Sequence, residues 1–461
     1  MAGDAQIKRP GTVPPPKPRP WEPRWVRYGG LAAVATAAIV LLLVVLIPGP
    51  KPEPVADPRW LGKPAAGDVV YCSGEDVSRS QERSVRDFNR SSDRGTARAI
   101  LDDDISPNAN DQRETYLKLI QSGKCDVVYL DVIYNPEFAS RDILYDMSDY
   151  LEQEEPAGSF DARMMKTVTY DDKLWGVPKH LDGGLLYYRG DRVDAPRTWQ
   201  ALVKAAVPRP GERPGLRLAL DGYEGLTVIF LELAYAAGAE PIVSENGTQA
   251  NIDQDAMVEA LQLLRTAIRR RSVPLSAIRS GDAGSYYAFA VGRASFLRAW
   301  PYVEARVRDD PASTHNETTV ARRNTAANLG VVALPPWTPG GRRLGILGGH
   351  NLVIPRTAKN PRGALRLIRF LTSKDQILID ARTASLAPVR PELYDLDGIR
   401  SSPALKALQG ERLVLRPPIV RYSRVSRMIY ETLPKMLSSA RTDEELHEDL
   451  ARLEKAVDDI L

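Results

Sequence analysis

The stretch that most constrains this chain is residues 29–47, GGLAAVATAAIVLLLVVLI, beginning at Gly29 and ending at Ile47. It carries no charge and a lone Thr36. As a helix it covers about 28 Å, close to the ~30 Å of a bilayer's hydrocarbon core. A helix buried in a globular domain would show one polar face. Before the stretch stand Lys8, Arg9, Lys17, Arg19, Arg24 and Arg27, against only Asp4 and Glu22. The positive-inside rule then puts residues 1–28 in the cytoplasm and everything after Pro50 outside. A cleaved signal peptide has a shorter apolar region and a small-x-small cleavage site. The run LIPGP at 46–50 is a poor one, and the first cysteine, Cys72, is too far downstream to take a lipid. An uncleaved single-pass anchor is expected.

The flanks agree with an anchor. Residues 1–28 are proline-rich and basic, and are read as an extended cytoplasmic tail. Residues 48–67 are a proline-rich spacer lifting the folded part of the chain off the membrane. The remainder, 68–461, is long enough for two lobes with cores of their own. A net charge of +3 over 461 residues gives no reason to expect nucleic acid. Cys72 and Cys125 would face an oxidising compartment. Two readings stay open for them: a disulfide, or two buried thiols held too far apart by parallel strands.

The folded part opens with alternating strand and helix signals. Residues 69–72, 97–101 and 125–130 are apolar strand-like runs; 81–89 and 111–120 between them are helical, the second with Glu114 at capping-box spacing. That alternation predicts a parallel sheet, with ligands outside the carboxyl ends of its strands. Strands are expected at 185–188, 216–220, 295–298, 330–334 and 351–354. Helices are expected at 226–237, closed by Gly238, and at 256–268. Others are 361–371, with Pro361 in its first turn, one opened by Ser373, and one opened by Thr442 with Glu445 three residues on. The polar stretch 315–328 is read as a mobile loop.

No phosphate loop, dinucleotide fingerprint, nucleophile-elbow serine or zinc-helix motif occurs. The four histidines, His180, His315, His350 and His447, have no metal-ligand spacing to one another, so no metal site, cofactor or catalytic residue is assigned. Polar and aromatic residues do gather at element ends: Glu75, Asp76, Asp131, Asp182, Tyr223, Glu224, Arg298, Trp300 and His350. Carboxylates that accept from hydroxyl pairs, with an aromatic face for the apolar side of a ring, suit a carbohydrate.

The order of several short motifs resembles the family 1 extracellular solute-binding proteins, the sugar receptors of ABC importers, of maltodextrin and trehalose type. They are CDVVYLD at 125–131, WGVP at 175–178, LLYY at 185–188, FLRAW at 296–300, GVVALP at 330–335, GGHNLVIP at 348–355, FLTS at 370–373 and LAPVR at 386–390. The resemblance covers residues 68 to 461. It implies an α/β, two-lobed periplasmic-binding-protein-like fold of type II, here preceded by one transmembrane helix. Lobe 1 would hold about 68–178 and 301–354, and lobe 2 about 179–300 and 355–461. By position, Glu75, Asp76 and Asp131 would line the first lobe's side of the cleft, with Asp182 near a hinge. Tyr223 and Glu224 would line the opposite wall. Trp300 would stack on a sugar ring, and Gly349, His350 and Arg390 would reach hydroxyls. Partners would be a small ligand and permease subunits. Two departures matter: His350 stands where many members have an aromatic, and Arg421, Arg424 and Arg427 mark an arginine-rich segment that would draw an acidic ligand or coat a helix. The basic tail opens a second reading as a membrane-tethered sensor; a surface glycoside hydrolase is a third.

Overall fold

Two sheets and the crossings between them organise the molecule. The computed structural model describes residues 67–74, 78–106, 108–153, 157–210, 213, 215–309, 317–438 and 440–461. All belong to one unit, 57–461. The tail, the apolar stretch 29–47, the spacer up to residue 66, Glu75 and Asp76 lie outside the described residues. Among the described residues no helix is long and apolar enough to cross a membrane.

In chain order the principal elements are β1 (Asp68–Cys72), α1 (Ser80–Arg90), β2 (Arg98–Asp102), α2 (Ala109–Gln121) and β3 (Val127–Asp131). Then come β4 (Val177–Asp182), β5 (Leu185–Arg189), β6 (Leu216–Arg217), α3 (Glu224–Ala237), α4 (Asp255–Arg269) and β7 (Phe296–Ala299). They are followed by α5 (Glu317–Ala327), β8 (Leu329–Ala333), β9 (Leu344–Ile346), β10 (Gly348–Val353), α6 (Pro361–Leu371) and α7 (Lys374–Ala384). The last are β11 (Arg412–Val414), α8 (Tyr422–Ser438) and α9 (Asp443–Asp458).

The first sheet runs β2-β1-β3-β10-β4. Its first three strands are parallel, as the alternation predicts, and β10 enters antiparallel between β3 and β4. The second sheet runs β8-β5-β7-β6. Leu185 and Tyr187 of β5 pack into the core around the first sheet, while Leu186 packs with the helices on the other face. Side chains alternate across a strand, so the second sheet is covered on both sides. Strands β9 and β11 form a separate parallel pair.

Local signals account for many element ends. Thr442 and Glu445 complete a capping box at the start of α9. Gly238 closes α3 in the left-handed region, at φ 110°. Asn360 caps α6 ahead of Pro361, and Asp126 ties that cap to β1 by accepting from the N–H groups of Asn360 and Val70, both at 2.8 Å. The start of α2 differs from the expected box: Asn108 caps it, accepting from Asn110 N–H at 2.9 Å, and Glu114 turns to Arg113 instead.

Two expectations need correction, and one reading left open is settled. The stretch read as a mobile loop contains α5, which buries Thr319 and Thr325 and packs beside the helix Val303–Asp309. The lobe boundaries do not follow the sheets. Strand β4 carries lobe 1 past residue 178 to Asp182; β8, assigned to lobe 1, pairs with β5 of the second sheet; and α6 and α7, assigned to lobe 2, pack on β1 and α1. Burial drives these placements: the buried face of α6 (Ala364, Leu365, Ile368) joins the first sheet's core. The cysteines are bridged. With β1 beside β3, the α-carbons of Cys72 and Cys125 are 5.8 Å apart, within reach of a disulfide.

Candidate functional site

The site grows from one edge of the first sheet. The ladder puts His350 of β10 opposite Asp131 on one side and opposite His180 on the other. Residues two apart share a strand face, so His180 and Asp182 point the same way. The Tyr129 ring stacks on His350 at 4.0 Å between centroids and 6° between planes. Its hydroxyl lies 2.9 Å from His180 Nδ1, and His180 Nε2 lies 3.0 Å from Asp182 Oδ2. His180 thus uses both ring nitrogens, Nδ1 toward the Tyr129 hydroxyl and Nε2 toward the Asp182 carboxylate. Burial pushes the Asp182 carboxyl up; His180, and after it His350 and Arg298, outweigh burial and hold it below the usual range.

Gly349 makes this edge sterically possible. Its φ is +125°, and a Cβ there would lie 2.2 Å from the carbonyl oxygen of His180. A side chain at 349 would push β10 off β4.

Two crossings between the sheets and the end of β7 meet at the same edge. The chain leaves β4 through Gly183 and Gly184, leaves β7 at Trp300 and Pro301, and returns to β10 through Leu347. Gly184 passes over a buried ion pair, for its Cβ would collide with Glu232 and Arg298. Arg298 donates from Nε to Glu232 Oε2 at 2.8 Å and from Nη2 to Oε1. The same guanidinium lies 4.1 Å from the centroid of the Trp300 ring. The indole stays partly exposed against Gly348, where a Cβ would stand 3.2 Å from Cζ3. Tyr187 holds the crossing by donating to the carbonyl of Trp300 at 2.9 Å.

The second wall centres on Arg416, just after β11. Its Nη1 donates to Glu224 Oε1 at 2.8 Å, and Nη2 lies 3.7 Å from Asp131 Oδ1. Tyr422 donates to Glu224 Oε1 at 2.7 Å, and Ser426 donates to Oε2. Burial lowers the pKa of Arg416, but Asp131 and Glu224 together raise it above the ordinary value, so it is a permanent cation. Glu224 N–H also donates to Asn110 Oδ1 at 3.3 Å. Tyr223 donates to Asp282 and accepts its N–H at 3.1 Å.

The residues anticipated from sequence therefore fall into groups. Asp182, Trp300, Gly349 and His350 converge at the crossings, and Asp131 joins Glu224 around Arg416. Arg298 lies behind Trp300, its Nε and Nη2 on Glu232. Arg390 sits elsewhere, donating to the carbonyl of Thr372 at 3.1 Å and lying over Phe160. Arg421, Arg424 and Arg427 are exposed and coat α8 and its approach. Sequence reasoning missed Arg416, which precedes Arg421 by five residues. It also treated the histidines as scattered, whereas the His180 and His350 rings are 5.1 Å apart. The alternation of His180 with Asp182 along a strand was the available signal; their pairing with residue 350 was not readable locally.

Two α/β lobes joined by crossings that meet at a polar and aromatic edge define a two-lobed binding protein, a scaffold that grips a small molecule between its lobes. The chain belongs to the family of bacterial extracellular solute-binding proteins, whose sequence model matches residues 105–407. It is similar to a probable ABC transporter-binding protein of Deinococcus radiodurans, 28% identical over 351 residues, which are 71% of this chain and 80% of that one. Among solved structures it is similar to maltose-bound T. maritima MalE3, with TM-score 0.74 and 27% identity over 86% of this chain and 100% of that one. A solute-binding protein of Thermotoga lettingae bound with α-D-tagatose shares the fold, with TM-score 0.74 and 20% identity over 86% and 100% of the two chains.

Proposed function

We propose that this solute-binding protein captures a carbohydrate or polyol between its lobes and delivers it to an ABC importer. Residues 29–47 hold it at the outer face of the membrane, with residues 1–28 in the cytoplasm. The observation that carries the reading is the meeting of Trp300, Asp182 and His350 where two crossings between the sheets come together with the end of β7. An indole offers its face to the apolar side of a sugar ring, while a carboxylate and an imidazole bond its hydroxyls. The similarity to a maltose-bound protein at 27% identity supports the same ligand class. In this reading Asp131, Tyr223, Glu224 and Gly349 shape the cleft, and Arg298 sets the orientation of Trp300.

Thermal melting of the full chain against mono-, di- and oligosaccharides and polyols tests it. A ligand at a hundred times its dissociation constant stabilises by about 2.7 kcal/mol. That is a rise of a degree or more for a domain of this size. A rise confined to one class of sugar or polyol is expected. No rise with any member of the panel overturns the carbohydrate reading.

A further inference from the structure

We propose that His180, Asp182 and His350 form a binding site for a divalent transition-metal ion at the edge where the crossings meet. One ligand atom from each lies within 4.8 Å of the others. The site is built on two paired strands: His180 and Asp182 alternate on β4, and β10 sets His350 across from His180 and Gly348 across from Asp182. Asp182 is 9% exposed, and its Oδ1 is buried with no hydrogen-bond partner while Oδ2 meets His180. A buried carboxylate oxygen without a partner is costly unless something else fills its lone pairs.

Two imidazoles and one carboxylate favour zinc, cobalt, nickel or copper over the oxygen-seeking magnesium and calcium. Three protein ligands leave a fourth position for water or an oxygen of a solute. With metal–ligand distances of about 2.1 Å, ligand atoms around a tetrahedral ion stand roughly 3.4 Å apart. His180 and Asp182 stand 3.0 Å apart, and His350 has to close the remaining distance by turning from its stack on Tyr129. In the metal-bound form His180 presents the Nε2 lone pair to the ion and carries its proton on Nδ1, where it donates to Tyr129, whose hydroxyl can accept as well as donate. Tyr129 thereby becomes the outer partner that fixes a ligating imidazole. The metal site shares Asp182 and His350 with the proposed solute contacts, so with the ion bound a solute oxygen meets the ion's open position in place of those two side chains; metal binding itself is read without any solute.

The test uses the full chain freed of metal by chelator and dialysis. Zinc chloride is titrated calorimetrically, and cobalt chloride by visible absorption. One saturable equivalent is expected, weakened about 100-fold or more in His350→Gln and in Asp182→Asn. Tyr129→Phe, which removes only the outer partner, is expected to weaken binding about tenfold. His447, partly exposed beside Asp253 at 2.6 Å and Asp255 at 3.4 Å, is the control for surface binding. His447→Gln is expected to bind as the parent does. Melting of each variant without metal checks that it folds. Absence of a saturable equivalent in the parent overturns the proposal. So does unchanged binding in folded His350→Gln, or loss in His447→Gln alone.

Discussion

Arg416 and Glu224 form a buried ion pair at 2.8 Å, and the same guanidinium faces Asp131, so one cation stands between the end of β3 and the start of α3. Removing one member of a buried pair leaves the other charged and undersolvated, at a cost of about 3–5 kcal/mol. Arg416→Ala is expected to lose that much in urea unfolding. Adding Glu224→Gln, which removes the orphaned charge, should recover part of the loss. A single variant within 1 kcal/mol of the parent would show that water already shares this site.

Trp300 is expected to matter for binding more than for folding. Its indole is partly exposed, while Arg298 keeps Glu232 whether or not the ring is there. Trp300→Ala should weaken the best solute of the melting panel by about 10- to 100-fold, at ~1.4 kcal/mol per tenfold. The unliganded melting temperature should change little. Unchanged affinity by calorimetry would remove the indole from the site.

Cys72 and Cys125 close a loop with a sequence separation of 53 and are both fully buried. A loop of that length contributes about 4 kcal/mol by constraining the unfolded chain. Replacing both by alanine should lower the unfolding free energy by roughly that amount. Because both are buried, thiol reductant under native conditions should act slowly, and quickly once urea is added.

Glu411 offers a pH handle. Burial is the main cause that lifts its carboxyl from 4.5 to about 8, with Glu232 adding to the rise, although the Leu334 N–H, Arg298 and Arg343 oppose it. The folded state therefore holds this proton where the unfolded state has lost it. Between about pH 4.5 and 8 the folded protein binds more protons, so stability falls as pH rises, by about 1.4 kcal/mol per unit of pKa difference. Glu411→Gln should match the parent near pH 4 and exceed it by a few kcal/mol at pH 9. Parallel urea curves at the two pH values decide it; an equal difference at both would sink the assignment.

Gly349 and Gly222 should respond oppositely to a methyl group. At 349 the backbone is left-handed and the added carbon meets the His180 carbonyl; at 222 nothing lies within 4 Å. Gly349→Ala is expected to cost about 2 kcal/mol or more, with Gly222→Ala near neutral in the same unfolding assay.

Much of the fold follows from signals that act over a few residues. Pro361 at the start of α6, the Thr442–Glu445 box, Gly238 after α3 and the alternation from β1 to β3 each state a local preference that the rest of the fold obeys. Where the signal was weak, as in the polar stretch that became α5, packing against neighbouring helices decided, because most helix stability comes from tertiary contact.

The sequence alone determined many of the strands and helices, β1 to β3, α3, α6 and α9 among them, and several residues that bound them, such as Gly238 and Thr442. It also carried the resemblance that places aromatic and acidic groups at the crossings. Only the tertiary structure decided who meets whom. It inserted β10 between β3 and β4, and so set His350 against His180 from far along the chain. It brought Cys125 to Cys72, and it aimed Arg416 at both Glu224 and Asp131. Local propensity reaches a turn or a strand pair at most, whereas strand order and register are chosen by burying apolar faces from distant parts of the chain at once.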